Sequence, residues 1–248
     1  MYGWRGSLGL IVPSSDRTSE MDFHTLKPEG VAVYVSRVPL QETTDAQEKL
    51  VVLRRMDEHI PDAAQQLTDV KPDLIVFSCT TGSFLRGQGT DDQIVAEIRE
   101  VAGVEAITTS TALVESIRSL GCRKIDLLTP YNVEIGRMAA DFLSQGVDGL
   151  VIAHQHHMGI VGGLAKCKVP PSRVYADAKE VASCSSDALV ISCTGLQSVQ
   201  IIDTLERDLG RPVITSNTAS LWLAMRRLGI VEHYTGKGCL LGSLRCVK

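Results

Sequence analysis

The stretch DLIVFSCTTG at residues 73–82 has a counterpart 114 positions later (187 − 73), DALVISCTG at residues 187–195. In each stretch an acidic residue precedes four apolar residues, and a Ser-Cys-Thr triplet then leads to a glycine. Short apolar runs that end in small polar residues are typical of buried parallel strands that open into loops. Cys79 and Cys193 are therefore predicted at the carboxyl ends of strands, where open α/β sheets bind their ligands.

The rest of the chain alternates strand-length apolar runs with segments of helical spacing, the pattern of an α/β fold with parallel sheets. Its second half repeats the first. Pro13 and Pro130 end corresponding strands 117 positions apart (130 − 13), and ITTSTA at 107–112 matches ITSNTA at 214–219. The repeat predicts two similar lobes related by a pseudo-twofold axis, each a parallel sheet flanked by helices, with the site in the cleft between them.

We assign residues 1–109 plus 216–248 to the first α/β lobe and residues 110–215 to the second. Local patterns add three further expectations. Helical spacing over residues 46–67 is predicted to break in two at Pro61, because proline interrupts a helix. Each cysteine is expected where its strand turns into a helix N-terminus, and the histidine-rich residues 154–157 are expected to form a solvated or partly buried loop.

Composition excludes several functions. With 25 basic and 29 acidic residues among 248, charge gives no case for nucleic acid or an anionic membrane as a partner. No apolar run approaches the roughly 20 residues that span a bilayer, and the first residues lack the apolar core of a signal peptide, so a cytoplasmic protein is expected. Seven cysteines without CxxC spacing, and histidines without ligand partners at the right spacing, predict neither a metal site nor a disulfide framework.

Two thiols that face each other across a cleft can act on a planar carbanion, an enolate or an alkene carbon. One thiolate removes a proton or attacks carbon on one face, and the opposite thiol delivers a proton to the other, without metal or cofactor. A free thiol has a pKa of about 8.5. We expect the backbone amides at each strand end to lower the pKa of the two site thiols. A single cysteine of this kind is more often structural, but the matched pair favours a site.

The substrate-binding candidates lie in the loops beside the two thiols, where hydroxyls and amides can hold a carboxylate whose charge grows towards an enediolate. Tyr131 either binds that carboxylate through its hydroxyl or packs at a strand end. Asp16 is either a loop-capping carboxylate or a site residue. The full set of candidates is Ser14, Asp16, Thr80, Thr81, Tyr131, Thr194 and Gly195.

These motifs resemble the aspartate/glutamate racemase superfamily, in particular its branch of maleate cis–trans isomerases, arylmalonate decarboxylases and ectoine-utilisation racemase-like proteins. The likeness covers essentially the whole chain and rests on GLIVPSS at 9–15, both SCT triplets, LTPY at 128–131 and RPVITS at 211–216. It implies two similar α/β lobes, no cofactor, a small carboxylate substrate and a homodimer or higher homo-oligomer. It also implies that Cys79 adds to a double bond while Cys193 handles the proton, and that Tyr131 binds a carboxylate.

The sequence departs from the maleate isomerase pattern at two places. Those enzymes carry Asn where this chain has Asp16, and a second substrate-binding Asn near the segment that holds Met158. An ionised Asp16 would repel a dicarboxylate but could hold an ammonium group, and Asp16, Thr18 and Glu20 fit the Asp-x-Thr-x-Glu of the ectoine-utilisation group. An amino-acid-like substrate is therefore predicted in preference to maleate.

The sequence as a whole predicts a cofactor-independent racemase or cis–trans isomerase of a small carboxylate. One alternative is a decarboxylase of a malonate-type acid, since arylmalonate decarboxylases resemble the chain but hold glycine at the position of Cys79. A non-catalytic relative that binds a small carboxylate is the other alternative.

Overall fold

The computed structural model describes residues 2–85, 87 and 89–245, and it contains two parallel sheets of four strands each. The strands of the first sheet are β1 (Gly6–Pro13), β2 (Val31–Val38), β3 (Leu74–Phe77) and β4 (Glu105–Thr108). Those of the second are β5 (Lys124–Thr129), β6 (Val151–His157), β7 (Ala188–Ile191) and β8 (Val213–Thr215).

Both sheets have the same strand order. The first is arranged β2-β1-β3-β4 and the second β6-β5-β7-β8, and every pairing within them is parallel. The identical order is what a duplicated unit produces, and the predicted α/β fold of two similar lobes is confirmed. The sheets fall inside the two predicted segments, and the assignment of residues 216–248 to the first lobe stays a prediction.

Helices flank both sheets, and most begin where helical spacing in the sequence predicts them. Pro61 lies in the first turn of α3 and separates it from α2, so the predicted break is confirmed. The helices are α1 (Ser19–Leu26), α2 (Ala46–Asp57), α3 (Ile60–Thr68), α4 (Thr80–Phe84), α5 (Thr90–Ala102), α6 (Thr109–Ser119), α7 (Val133–Gly146), α8 (Gly163–Cys167), α9 (Pro171–Val181), α10 (Ile202–Leu209), α11 (Ser216–Arg227) and α12 (Gly238–Gly242).

The apolar core joins the two lobes. Strand residues such as Leu10 of β1 and Leu127 of β5 are fully buried and belong to one continuous cluster. Ile11 and Phe77 belong to a second cluster within the first lobe, on the opposite side of its sheet. Because the shared cluster and the packing of α6 against α11 tie the lobes together, the loops at the carboxyl ends of both sheets are held in fixed relation.

Two expectations for the second lobe are corrected. The histidine-rich residues continue β6 to His157 and pair in parallel with β5, so they form an edge strand instead of a loop. Cys193 is followed by a turn, and the next helical residues are the 3-10 helix Val199–Ile201. Within the described ranges no helix is long and apolar enough to cross a membrane.

Candidate active site

Cys79 stands between β3 and α4. It is the N-cap residue of that short helix, and its Sγ accepts a hydrogen bond from the backbone N–H of Gly82 at 3.4 Å. A Cβ at Gly82 would lie 2.8 Å from Met56 Cε and 3.1 Å from Cys79 Sγ. Glycine is therefore favoured here, because a Cβ would crowd the Cys79 thiol and displace the end of the Met56 side chain.

Cys193 follows β7 in the corresponding position of the second lobe. Its Sγ accepts a hydrogen bond from the backbone N–H of Gly195 at 3.3 Å. Like Cys79, it is 6% exposed. The expectation of a helix N-terminus holds for Cys79 and is wrong for Cys193, where the turn supplies the amide directly.

The two cysteines line one cavity of about 50 Å³. A single water needs roughly 10–15 Å³ by this kind of measure, so the space suits a molecule of a few heavy atoms. The lining comes from both lobes and includes most of the predicted site residues. The lining residues are Pro13, Ser15, Asp16, Leu40, Lys49, Leu53, Cys79, Thr80, Thr81, Tyr131, Gly163, Lys166, Cys167, Cys193, Thr194 and Gly195.

Tyr131 is buried between the two thiol loops. Its hydroxyl hydrogen-bonds to Thr81 and to the Cys193 thiol, and burial raises its pKa well above the usual value. The ring packs edge-on against Phe84, with centroids 6.2 Å apart. A neutral hydroxyl held at this point can donate to a bound carboxylate.

Ser14 is the one predicted site residue that the structure places outside the cavity. Its side chain is exposed, and its Oγ accepts a hydrogen bond from the backbone N–H of Leu40 at 3.0 Å. The next residue, Ser15, lines the cavity in its place. Ser14 corresponds to Tyr131 in the repeat (131 − 14 = 117), so the two lobes differ at this position although their cysteines match.

Asp16 lines the cavity, but its oxygens are used within its own loop. They accept hydrogen bonds from the backbone N–H groups of Thr18 at 3.0 Å and Ser19 at 2.8 Å, and from the Ser19 hydroxyl at 2.8 Å. Burial raises the pKa of this carboxyl, although these bonds act in the opposite direction. Asp16 is thus a capping carboxylate at the head of α1, and its lone pairs are largely occupied.

The backbone that follows Cys193 is held by side chains from other parts of the chain, and the Thr80 hydroxyl beside Cys79 bonds to a side chain of α11. Thr18 Oγ1 donates to the carbonyl of Gly195 at 3.0 Å, and Asn217 Nδ2 donates to the carbonyl of Thr194 at 3.0 Å. Thr80 Oγ1 donates to Ser216 Oγ at 3.1 Å. The bonds to Gly195 and Thr194 fix the loop of Cys193 before any ligand binds, which is what a preorganised carboxylate cradle requires.

Two lysines at the cavity were missed by the sequence reasoning. Lys49 on α2 is 3% exposed and Lys166 on α8 is 7% exposed. A lysine read from sequence is normally a surface residue, so composition gave no reason to single them out. A signal was present nonetheless, because they are 117 positions apart (166 − 49), the spacing of Pro13 and Pro130.

Both cysteines are thiols at neutral pH in the ligand-free protein. Burial raises the pKa of Cys79 to about 12. The backbone N–H of Gly82 and the charge of Lys49 lower that pKa and offset the rise only in part. Burial likewise raises the pKa of Cys193, against the lowering effect of Lys166. The expectation of a lowered thiol pKa is therefore wrong, because the lost hydration of the thiolate outweighs the amides and lysines.

Other candidate residues fall away from the cavity. His154 Nδ1 lies 3.0 Å from Asp126 Oδ1, and His157 Nδ1 lies 2.9 Å from Thr129 Oγ1, both along the second sheet. Among the described residues no three His, Cys, Asp or Glu side chains are grouped as a metal site. Met158 packs against the core, and the α8 segment beyond it supplies the lining instead.

Comparison with known proteins places this geometry in a family. A family model described as arylmalonate decarboxylase matches residues 8–241. Maleate isomerase of Nocardia farcinica is 27% identical over 242 residues, 94% of each chain. Arylmalonate decarboxylase of Bordetella bronchiseptica is 29% identical over 226 residues, 90% of each chain. One solved structure is a Nocardia farcinica maleate cis–trans isomerase mutant with a covalently bound succinylcysteine intermediate. It superposes with a TM-score of 0.88 at 23% identity, and the match covers 96% of this chain and 98% of that chain.

Proposed function

The chain belongs to the arylmalonate decarboxylase family, and from this premise we propose that it is a cofactor-independent isomerase of a small carboxylic acid. The observation that carries the proposal is the presence of two thiols, one from each lobe, on the lining of one small cavity. Each thiol sulfur accepts a hydrogen bond from a backbone N–H, and the same N–H can stabilise the thiolate. The maleate isomerases among its relatives support the reaction class.

For a substrate with a hydrogen on the carbon beside its carboxylate, the reaction is proton exchange. The reactive form is the fraction of the protein in which one cysteine has lost its proton to solvent. That thiolate takes the substrate proton, and the C–H electron pair moves into the carboxyl group to give an enediolate. The thiol of the other cysteine then gives its proton to the opposite face, so the configuration inverts and the two cysteines exchange protonation states.

For an alkene acid the same pair acts by addition. The Cys79 thiolate forms a C–S bond with one alkene carbon, and the π electron pair moves towards the neighbouring carboxyl group as an enediolate. The Cys193 thiol gives its proton to the carbon beside that carboxyl group, and rotation about the resulting single C–C bond follows. The Cys193 thiolate then takes the proton back, and the C–H electron pair restores the double bond as the C–S bond breaks, which returns the Cys79 thiolate and leaves the other geometric isomer.

The substrate carboxylate is held by the thiol loops and Tyr131. Thr80, Thr81, Thr194 and Gly195 present amides and hydroxyls to the cavity, and the Tyr131 hydroxyl lies among them. Because the enediolate carries more charge on these oxygens than the ground-state carboxylate does, such donors stabilise the intermediate more than the substrate.

A decarboxylase of a malonate-type acid is the second candidate, since the family model and a relative at 29% identity carry that activity in their names. Cys79 argues against it, because the resemblance assigns glycine to that position in arylmalonate decarboxylases. A third candidate, a relative that binds a carboxylate without turnover, would leave the paired thiols without a use.

The test follows substrate atoms in deuterium oxide by proton NMR. Maleate, L-aspartate and L-glutamate are incubated separately with the enzyme. We expect double-bond isomerisation or deuterium exchange beside a carboxylate with at least one of them. The rate should fall by about 10²–10⁴-fold in Cys79→Ala and in Cys193→Ala.

Cys184→Ala is the matched control, because that cysteine is exposed and lies outside the cavity. Activity that survives in both cavity variants would contradict the thiol pair. Carbon dioxide release from phenylmalonate, without isomerisation of any of the three acids, would assign the decarboxylase instead.

A further inference from the structure

Lys49 and Lys166 bring two amino groups into the cavity that carries the cysteines, and burial lowers the pKa of Lys166, which an anion bound beside it would raise again. Lys49 Nζ is buried and has no hydrogen-bond partner among the residues that the structure describes. Lys166 Nζ lies 4.7 Å from the centre of the Tyr131 ring, a cation–π contact. A buried ammonium without a counter-ion destabilises the protein by several kcal/mol. An anion that binds in this cavity pairs with the ammonium and offsets that free-energy cost.

The two lysines come from equivalent elements. Lys49 is on α2, the helix after β2, and Lys166 is on α8, the helix after β6. β2 and β6 occupy the same position in their sheets. The lysines are therefore related by the repeat, as the cysteines are, and they approach the cavity from different lobes.

The carboxylate of Asp16 on the cavity lining and that of Glu42, which acts on Lys166, already have other uses. Asp16 accepts three hydrogen bonds from Thr18 and Ser19 within its own loop. The oxygens of Glu42 accept the backbone N–H groups of Gly163 at 2.9 Å and Leu164 at 3.1 Å, at the start of α8. Among the described side chains, no carboxylate lies within ion-pair distance of either lysine.

We infer that Lys49 and Lys166 form a second anion subsite, which binds a second acidic group of a dianionic substrate. The inference deepens the proposed function and rests on it for treating the cavity as the substrate site. One carboxylate then lies in the amide cradle of the thiol loops, and the other lies against the two ammonium groups. A substrate ammonium is disfavoured beside two lysines, which reverses the preference that Asp16 suggested.

The test is a binding measurement with two ligands of the same shape and different charge. Succinate carries two carboxylates, and succinamate, its monoamide, carries one. Isothermal titration calorimetry at pH 7.5 should show succinate bound at least about tenfold more tightly than succinamate by the unchanged protein, a difference of about 1.4 kcal/mol. In Lys49→Met and in Lys166→Met this preference should shrink to about threefold or less.

Lys168→Met is the control for net charge, because it removes an exposed ammonium two residues from Lys166 and outside the cavity. It should keep the preference for succinate. Lys49→Arg and Lys166→Arg retain the charge and should restore part of the preference that the methionine variants lose.

Three results would overturn the subsite. They are equal affinity of the unchanged protein for the two ligands, an undiminished preference in both methionine variants, and an equal loss of affinity for both ligands. The last would indicate a structural role alone. Because neither ligand needs to react, the result is independent of turnover. A protein that selects succinate through its lysines and isomerises nothing would contradict the proposed function and leave the subsite standing.

Discussion

A lysine side chain at the end of a flexible stem is usually solvated, and Lys49 is an exception that has an energetic consequence. Its ammonium is buried without a hydrogen-bond partner among the described residues, so the ligand-free protein carries the full cost of desolvating it. Cys79, whose pKa that charge helps to lower, remains a thiol all the same. Lys49 therefore stabilises the anion-bound protein and destabilises the ligand-free protein.

Replacing Lys49 by methionine should stabilise the ligand-free protein. Methionine keeps the length of the stem and removes the buried charge, so we expect the free energy of unfolding to rise by about 1–3 kcal/mol. Urea denaturation without added anions measures it. Lys168→Met, at an exposed position, should change stability by no more than about 0.5 kcal/mol. A loss of stability in Lys49→Met would mean that the ammonium is paired.

At the scale of single elements, α8 depends on a residue from the other half of the chain. Glu42, in the loop after β2, caps the first N–H groups of this five-residue helix. So short a helix has little stability of its own, because nucleation costs more than its few hydrogen bonds return. The position of Lys166 is therefore set by a carboxylate more than 120 residues away in sequence.

Glu42→Ala should loosen α8 and weaken anion binding without unfolding the protein. Loss of a helix cap costs about 0.5–2 kcal/mol, and we expect succinate affinity to fall about 3–10-fold while overall stability changes by a similar small amount. Calorimetry and urea denaturation together check this result. Glu100→Ala, at an exposed position on α5, is the control, and unchanged succinate affinity in Glu42→Ala would show that α8 holds its position without the cap.

The sequence predicted the elements that have strong patterns and missed those that tertiary contacts create. β3 and β7 were recognised as buried apolar runs, and Pro61 divides α2 from α3 as its missing N–H requires. The five-residue helices α4, α8 and α12 have no apolar periodicity long enough to detect. Their positions come from caps and packing across the chain.

The site was predictable only where the repeat made it so. Two matched cysteines pointed to the cavity, and Thr80, Thr81, Tyr131, Thr194 and Gly195 do line it. The direction of a loop side chain is not encoded locally, which is why Ser14 turned out to face away. The lysines follow the repeat spacing of the prolines, but charge alone made them look like surface residues.

At the scale of the whole molecule, one buried carboxyl joins α1 to α11. Asp22 on α1 accepts a hydrogen bond from Asn217 Nδ2 at 2.6 Å, and that amide also donates to the carbonyl of Thr194. Burial raises the pKa of Asp22 to about 7. The connection therefore runs from the first lobe through α11 to the loop of the second thiol.

The raised pKa of Asp22 should make stability fall as pH rises. An unfolded aspartate ionises near pH 4, whereas the folded one keeps its proton until about pH 7, so its stabilising contribution is complete below pH 4 and lost through pH 7. Three units correspond to at most about 4 kcal/mol. Urea denaturation between pH 4 and 8 measures the slope.

Asp22→Asn removes the ionisable group and keeps its shape, so the free energy of unfolding should depend less on pH over that range. Asp16, whose pKa burial also raises, contributes in the same direction and remains in the variant. A slope unchanged by Asp22→Asn would mean that the Asp22 carboxyl is ionised in the folded protein at all of these pH values.

The difference between Tyr131 and Ser14 makes the two ends of the cavity unequal for a bound substrate. A cavity with perfect twofold symmetry would accept a substrate equally well in two orientations related by the axis, and each thiol would meet either face in half of the encounters. A buried tyrosine on one side, with a serine turned outward at the matching position, removes that equivalence. Each sulfur then meets one fixed face of the bound substrate, although the fold that presents the two sulfurs is duplicated.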